Sequence, residues 1–136
     1  MNKLVRQLKS QSVTLQFWPL VGPLRILGFP DASYRNNEDG SSQRGMAIFL
    51  AEPRERSGKN GITHGSLVEY ESQKIKKTVL STTVAELYAF MKCFGTCQFL
   101  RGLWIDLSGE IANIHMRTDA KNLAEGNHPY DFNAEK

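Results

Sequence analysis

The sequence predicts one α/β domain in which a mixed β-sheet packs against a single long central helix. Three strand-like segments joined by turns come first, a long apolar segment follows, and a short fourth strand-like segment comes after it. With 136 residues the chain is long enough for one domain with a hydrophobic core. The predicted order of elements is therefore βββαβα, with an additional piece before the first strand.

The first three predicted strands cover residues 24–29, 45–51 and 66–75. Each alternates in polarity or is short and apolar, and Asp39-Gly40 supplies a strong turn signal between the first two. Strands joined in this way predict an antiparallel meander. Upstream, residues 13–18 alternate like a strand, and residues 1–10 carry a short helical pattern.

The long apolar segment, residues 78–105, predicts a helix that is entered through a Ser/Thr cap and broken near Gly102. Between residues 82 and 105 its one acidic residue is Glu86. A helix that is apolar on every side is usually buried. A carboxylate on a buried helix is costly unless it is paired, neutralised or bound to a metal, so Glu86 needs a partner or a function.

Residues 112–118 predict the fourth strand, which leads into Asp119, and residues 120–125 predict a second helix that Gly126 ends. A crossover helix allows the fourth strand to lie parallel to the first. Asp31, which follows the first strand, would then lie beside Asp119, and Glu86 would point at both from the helix. Such a carboxylate cluster requires a cation, and hard oxygen ligands suit Mg²⁺ or Mn²⁺.

Each acid also has an ordinary structural interpretation. Asp31 could form a turn, Asp119 could cap the helix that follows it, and Glu86 could pair with Lys74 or Lys77. The order and context of the three acids together favour a metal site. Paired divalent ions are the usual device for displacement at a phosphodiester, with one ion activating a water and the other stabilising the leaving oxygen.

Composition excludes some classes of protein. Hydrophobic residues make up 40% and charged residues 23% of the chain, which is typical of a soluble globular protein. There is no apolar run of membrane-spanning length and no signal peptide, so we expect an intracellular protein rather than a secreted one. We expect Cys93 and Cys97 to be small core residues, not zinc ligands. The net charge of +3 mildly favours an anionic partner.

Three segments carry a family resemblance: GFPDASY at 28–34, SQKIKKTVLSTTVAELYA at 72–89 and MRTDAKNLAE at 116–125. On these motifs the chain resembles the ribonuclease H domain of copia-type retrotransposon polyproteins. The resemblance implies a ribonuclease H-like fold and a hydrolase that cuts the RNA strand of RNA–DNA hybrids. It also implies that residues 1–23 connect to an upstream reverse transcriptase domain, and that residues 24–125 form the ribonuclease H-like domain.

The resemblance also assigns site residues. Asp31, Glu86 and Asp119 match the family's catalytic acids, which hold two Mg²⁺ or Mn²⁺ ions. Ser33 matches a position that contacts the substrate backbone, and the 2′-OH would distinguish RNA from DNA. The basic run just before the helix would contact phosphates of the nucleic acid partner through Lys74, Lys76 and Lys77.

The chain departs from the family after the third motif. The family has a fourth acid, a fifth strand and a closing helix there, and residues 126–136 do not resemble them, so we expect an irregular tail and a shortened domain. Two other hypotheses remain open. The chain could be an inactive nucleic-acid-binding or connector remnant of such a polyprotein, or an α/β domain in which the acids are structural.

Overall fold

A computed structural model describes residues 14–53 and 64–119. In this part of the chain three strands, β1 (Arg25–Ser33), β2 (Gln43–Ala51) and β3 (Gly65–Lys74), precede a helix, α1 (Thr82–Ser108), and a short strand, β4 (Asn113–Met116). The protein is thus an α/β domain, as the sequence predicts. No helix within these ranges is long and apolar enough to cross a membrane.

The four strands form one mixed sheet in the order β3-β2-β1-β4. β1 pairs antiparallel with β2, and β2 pairs antiparallel with β3, with an irregularity at Ile48/Phe49. β4 lies parallel to β1, with Arg25 opposite Asn113 and Gly28 opposite Met116. The antiparallel meander and the parallel placement of the fourth strand beside the first are therefore confirmed.

β1 is longer than the strand predicted at 24–29, because it continues through Pro30 and Asp31 to Ser33. The carbonyl of Gly28 accepts a hydrogen bond from the N–H of Arg117, so it faces β4. Alternate residues of a strand face the same neighbour, so the nitrogen of Pro30 also faces that side, beyond the last paired residue of β4. A proline is tolerated there because no ladder bond is lost to β2.

α1 begins at Thr82 and ends at Ser108, later at both ends than predicted. The side chain of Ser81 caps it by accepting a hydrogen bond from the N–H of Val84, as the Ser/Thr-rich entry indicated. At the other end Gly109 adopts a left-handed conformation with φ of 73° and donates its N–H to Ile105. The break expected near Gly102 is wrong, because one glycine costs only about 1 kcal/mol in a helix interior.

The core forms where α1 crosses β1. Small side chains on one stripe of the helix, Ala85, Ala89, Cys93 and Cys97, are buried against the sheet. Gly28 lies under them: a Cβ placed on it would be 3.0 Å or less from the sulfur atoms of Met116, Cys97 and Cys93. The helix can approach β1 this closely at Gly28 because the residues that meet there on both elements are small. The main core cluster comprises Ile26, Met46, Ile48, Cys93, Cys97 and Ala112.

The expectation that α1 is buried on every side is wrong within the described part of the chain. One sheet can cover one face of a helix, and the face turned away from it keeps large apolar side chains exposed. Leu87, Met91 and Phe99 are 47%, 60% and 70% exposed. The nearly uniform apolar composition of the helix therefore does not identify the face that packs on the sheet. The spacing of its small residues does.

Several predictions fall wholly or partly outside the described residues. They are the helix at 1–10, the helix at 120–125 and the tail at 126–136. The strand predicted at 13–18 is wrong for its described part, since residues 14–24 form neither helix nor strand. Pro19 and Pro23 restrict this segment, and neither can donate a ladder hydrogen bond.

Substitution by alanine should have opposite effects on the free energy of unfolding at two glycines. Gly28→Ala forces a Cβ into three sulfur atoms at 2.7–3.0 Å and should lower the free energy of unfolding by about 1–3 kcal/mol. Gly95→Ala, on α1 with nothing within 4 Å of its added Cβ, should raise it by about 0.5–1 kcal/mol. Urea unfolding followed by circular dichroism measures both. Equal effects would contradict the close approach of α1 to β1.

Candidate metal centre

The structure brings the three predicted acids together. One carboxylate oxygen each from Asp31, Glu86 and Asp119 lies within 4.8 Å of the others. Asp31 and Asp119 are exposed, whereas Glu86 is partly buried. In the described residues this is the one group of three or more His, Cys, Asp or Glu side chains that could hold a metal ion.

The positions of two acids differ from those expected. Asp31 does not end the first strand, because it lies inside β1 and pairs with Gly45. Asp119 does not directly follow the fourth strand, because β4 stops at Met116 and two residues, Arg117 and Thr118, lie between that strand and Asp119. Glu86 is the fifth residue of α1 and lies in its second turn. The acids still meet because β1 and β4 are parallel neighbours whose C-terminal ends face the start of the helix.

A second apolar cluster fixes the start of α1 beside the sheet. Ile75, Val79 and Ala85 are buried together, and Ala32, Tyr34 and Tyr88 pack against them. Ala85 precedes Glu86, and Ala32 follows Asp31, so this cluster holds the neighbours of both acids. The N–H of Ile75 also donates to the carbonyl of Ser42 at 2.8 Å, which ties the β3–α1 connection to β2. The separation of the two carboxylates is thus set by core packing.

The pKa of Glu86 is raised above its ordinary value of 4.5. Burial is the largest cause, and the charges of Asp31 and Asp119 add to it. The N–H of Ala32 hydrogen-bonds the Glu86 carboxyl and opposes the rise. Ala32 shares the strand side of Gly28, which faces β4, but β4 does not extend that far. The Glu86 carboxyl therefore accepts a hydrogen bond that a backbone carbonyl of a longer β4 would otherwise accept.

The second oxygen of Glu86, Oε2, is buried without a hydrogen-bond partner among the described residues. A buried carboxylate oxygen left unsatisfied costs free energy unless a proton or a cation meets it. The donor set consists of carboxylate oxygens alone, which suits a hard divalent cation such as Mg²⁺ or Mn²⁺. The residues present therefore fit a metal ion, and the ion would be held by Asp31, Glu86 and Asp119.

Ser33 lies at the C-terminal end of β1, opposite Gln43, and is partly buried. Because it is two residues from Asp31, its side chain points to the same face of the sheet as that acid. The predicted substrate contact of Ser33 stays a prediction.

The three predicted lysines do not share one environment. Lys74, the last residue of β3, forms an ion pair with Asp39 of the β1–β2 turn, and this pair lowers the pKa of Asp39. The alternative in which Lys74 pairs with Glu86 is not observed. Lys76 and Lys77 are exposed in the connection that leads to α1. Since the flanking Ile75 and Val79 are buried, the connection is held at both ends and projects its lysines into solvent.

A cleft of about 390 Å³ lies between the β1–β2 turn and the β3–α1 connection. Arg35, Lys76 and Lys77 line it together with the hydroxyl groups of Ser41 and Thr78. Sequence reasoning missed Arg35, which has a left-handed φ of 49°, donates its N–H to Ser42 and lies over the Tyr34 ring at 5.3 Å. The one available signal was its place at the start of a polar turn.

Comparisons with known proteins do not identify a relative: no family model, no curated protein and no solved structure matches the chain. The acid cluster and the basic cleft are therefore interpreted from their own chemistry.

The raised pKa of Glu86 predicts a pH-dependent effect of Glu86→Gln. The folded protein binds the Glu86 proton more tightly than the unfolded chain does, so wild-type stability falls as pH rises above 4.5 towards the folded-state pKa. Glutamine does not titrate. In the absence of divalent ions, the free energy of unfolding of the variant should therefore increase relative to that of the wild type as the pH rises from about 4 to about 8.

Urea unfolding in EDTA measures this difference, and Glu110→Gln, beyond the far end of α1, is the matched control. A gain that is the same at both pH values, or shared by the control, would show that Glu86 is not destabilised by its neighbours.

Proposed function

We propose that the chain is a ribonuclease H-like nuclease domain that uses divalent cations to cut the RNA strand of RNA–DNA hybrids. The observation that carries the proposal is the convergence of Asp31, Glu86 and Asp119 within 4.8 Å. They meet where a parallel β1–β4 pair faces the start of a helix. The resemblance of the surrounding motifs to the ribonuclease H domain of copia-type retrotransposon polyproteins supports the same function.

The chain's own residues have distinct tasks in this proposal. Two Mg²⁺ or Mn²⁺ ions, when bound, supply activation of the attacking water and stabilisation of the leaving 3′ oxygen. Glu86 would hold a cation through Oε2, which is buried without a hydrogen-bond partner among the described residues. Asp31 and Asp119 are exposed and complete the acidic set from the substrate side. The N–H of Ala32 fixes the orientation of Glu86 by holding part of its carboxyl.

The hybrid would contact both the acid cluster and the basic cleft. Arg35, Lys76 and Lys77 offer positive charge to phosphates, and Thr78 and Ser41 offer hydroxyl groups. Ser33 shares the face of Asp31 and would contact the substrate backbone. Lys74 contributes less than the resemblance implies, because Asp39 already engages its ammonium group.

The same resemblance places the domain in a retroelement polyprotein, downstream of a reverse transcriptase. Hydrolysis of RNA in a hybrid is the reaction that such a polymerase requires after it has copied its template. The inactive remnant is the alternative. It retains the basic cleft, and so predicts hybrid binding without cleavage.

Cleavage of a labelled RNA–DNA hybrid with and without Mg²⁺ tests the activity. Glu86→Gln should reduce the rate by at least about 100-fold, since even partners outside a metal's ligand set are worth about 10- to 100-fold. Glu110→Gln makes the same change of charge beyond the opposite end of α1 and should cleave normally.

The inactive alternative makes a different set of predictions. Mn²⁺ would then fail to support cleavage at any concentration, while the hybrid would still bind with an affinity that falls as salt rises. Cleavage that persists in Glu86→Gln, or that needs no divalent ion, would contradict the metal-dependent mechanism itself.

Replacement of Lys74 should change the salt dependence of hybrid binding less than replacement of Lys76 or Lys77. Lys76→Ala and Lys77→Ala should each weaken binding and reduce the slope of log affinity against log salt by about 1. Lys74→Ala should change the slope less, because Asp39 neutralises Lys74 in the free protein. Fluorescence anisotropy at several salt concentrations measures the slopes. A larger loss in Lys74→Ala than in the other two would contradict this assignment.

A further inference from the structure

Three sulfur atoms converge on Gly28 at the centre of the core. A Cβ placed on Gly28 would lie 2.7 Å from Sδ of Met116, 2.9 Å from Sγ of Cys97 and 3.0 Å from Sγ of Cys93. Because all three sulfurs lie within 3.0 Å of one point, no two of them are further apart than twice that distance. The cluster exists only because residue 28 has no side chain.

Three elements build this cluster. Cys93 and Cys97 are one turn apart on α1 and are both fully buried. Met116 is the last residue of β4 and lies beside Gly28 in the parallel ladder. The two thiols hydrogen-bond each other, and this bond together with burial raises the pKa of Cys93.

We propose that Cys93, Cys97 and Met116 form a binding site for one soft monovalent metal ion, Cu(I) or its analogue Ag(I). Thiolate and thioether sulfurs are the ligands that select such ions over Mg²⁺ or Mn²⁺. On binding, one thiol proton leaves to solvent and a metal–thiolate bond forms, so the centre is neutral overall. The second cysteine and Met116 donate lone pairs, and no electron is transferred.

Zinc fits this cluster poorly. Structural zinc sites have four ligands drawn from Cys, His and carboxylates. Among the described residues no third His, Cys, Asp or Glu joins the two cysteines. Two or three sulfur ligands are instead the coordination that Cu(I) and Ag(I) accept. The softness and small number of the donors therefore point to the same class of ion.

A disulfide fits poorly as well. Residues one turn apart on a helix have Cβ atoms about 5–6 Å apart, whereas a disulfide requires about 3.5–4.5 Å. Closing that bond would distort α1 in its most tightly packed stretch. An ion placed between the sulfurs needs no such approach. Met116 is partly buried and precedes the exposed Arg117, so its end of the cluster lies nearest to solvent.

This site is independent of the acid cluster. Cys93 lies seven residues after Glu86 on α1, which is about 10 Å along the helix axis. Hard ions such as Mg²⁺ would therefore bind the acid cluster, and soft ions such as Cu(I) would bind the sulfur cluster. Failure of the nuclease assay would leave the sulfur site untouched, and failure of the metal titration below would leave the proposed nuclease untouched.

Titration of the reduced protein with Cu(I), in competition with a chromophoric Cu(I) chelator, tests the proposal. We expect one equivalent to bind, and the thermal unfolding midpoint to rise with it. Met116→Leu keeps the volume of the core and should weaken binding by at least about 10-fold, because ligand partners are worth about 10- to 100-fold or more. Met91→Leu, at an exposed methionine of α1, is the matched control.

Cys93→Ser and Cys97→Ser should abolish binding, with circular dichroism as the check that each variant folds. If neither folds, Met116→Leu against Met91→Leu still decides the question. Binding that is unchanged in a folded Met116→Leu variant, equal loss in Met91→Leu, or no binding by the wild type would each overturn the three-sulfur site.

Discussion

The close contact between one stripe of α1 and β1 determines most of this structure. Ala85, Ala89, Cys93 and Cys97 recur every fourth residue, and Gly28 opposes the two cysteines. Packing of small residues leaves the helix little freedom to rotate or to rise from the sheet, because interiors are close-packed and tolerate few changes in volume. Glu86 follows Ala85 directly. Its position at the edge of the sheet is therefore a consequence of how the helix packs.

The acid cluster is held at a cost in stability. Glu86 has its pKa raised by burial and by two neighbouring acids, and its Oε2 has no hydrogen-bond partner in the described part of the chain. Natural sequences accept such conflicts where function requires them and compensate for them elsewhere. Here the compensation is local: the Ala32 N–H satisfies part of the carboxyl, and Ile75, Val79 and Ala85 anchor the surrounding backbone. Neutralisation by a cation would remove the remaining penalty.

The sequence predicts the order of the elements, the parallel placement of the fourth strand and the grouping of the three acids. It does not predict where β1 and α1 end or which residue pairs with Lys74. Pro30 suggested the end of a strand, yet β1 continues through it. The nitrogen of Pro30 faces the β4 side, beyond the last paired residue of β4, so no hydrogen bond to β2 is lost. Gly102 suggested a helix break, but the helix continues because a single glycine costs only about 1 kcal/mol in a helix interior. The environment of Lys74 depends on Asp39, which is 35 positions away in the chain, so no local pattern reveals it.

Pro30 has a consequence for the sheet as a whole. In a regular parallel ladder the next bond between β1 and β4 would run from the N–H of residue 30 to the carbonyl of Arg117. Proline has no N–H, so this bond is absent, and β4 pairs with β1 only as far as Gly28 and Met116. β1 continues beyond this point, and the N–H of Ala32 hydrogen-bonds the Glu86 carboxyl there. A residue usually regarded as a defect in a sheet would here leave a backbone donor free to orient Glu86 beside Asp31 and Asp119.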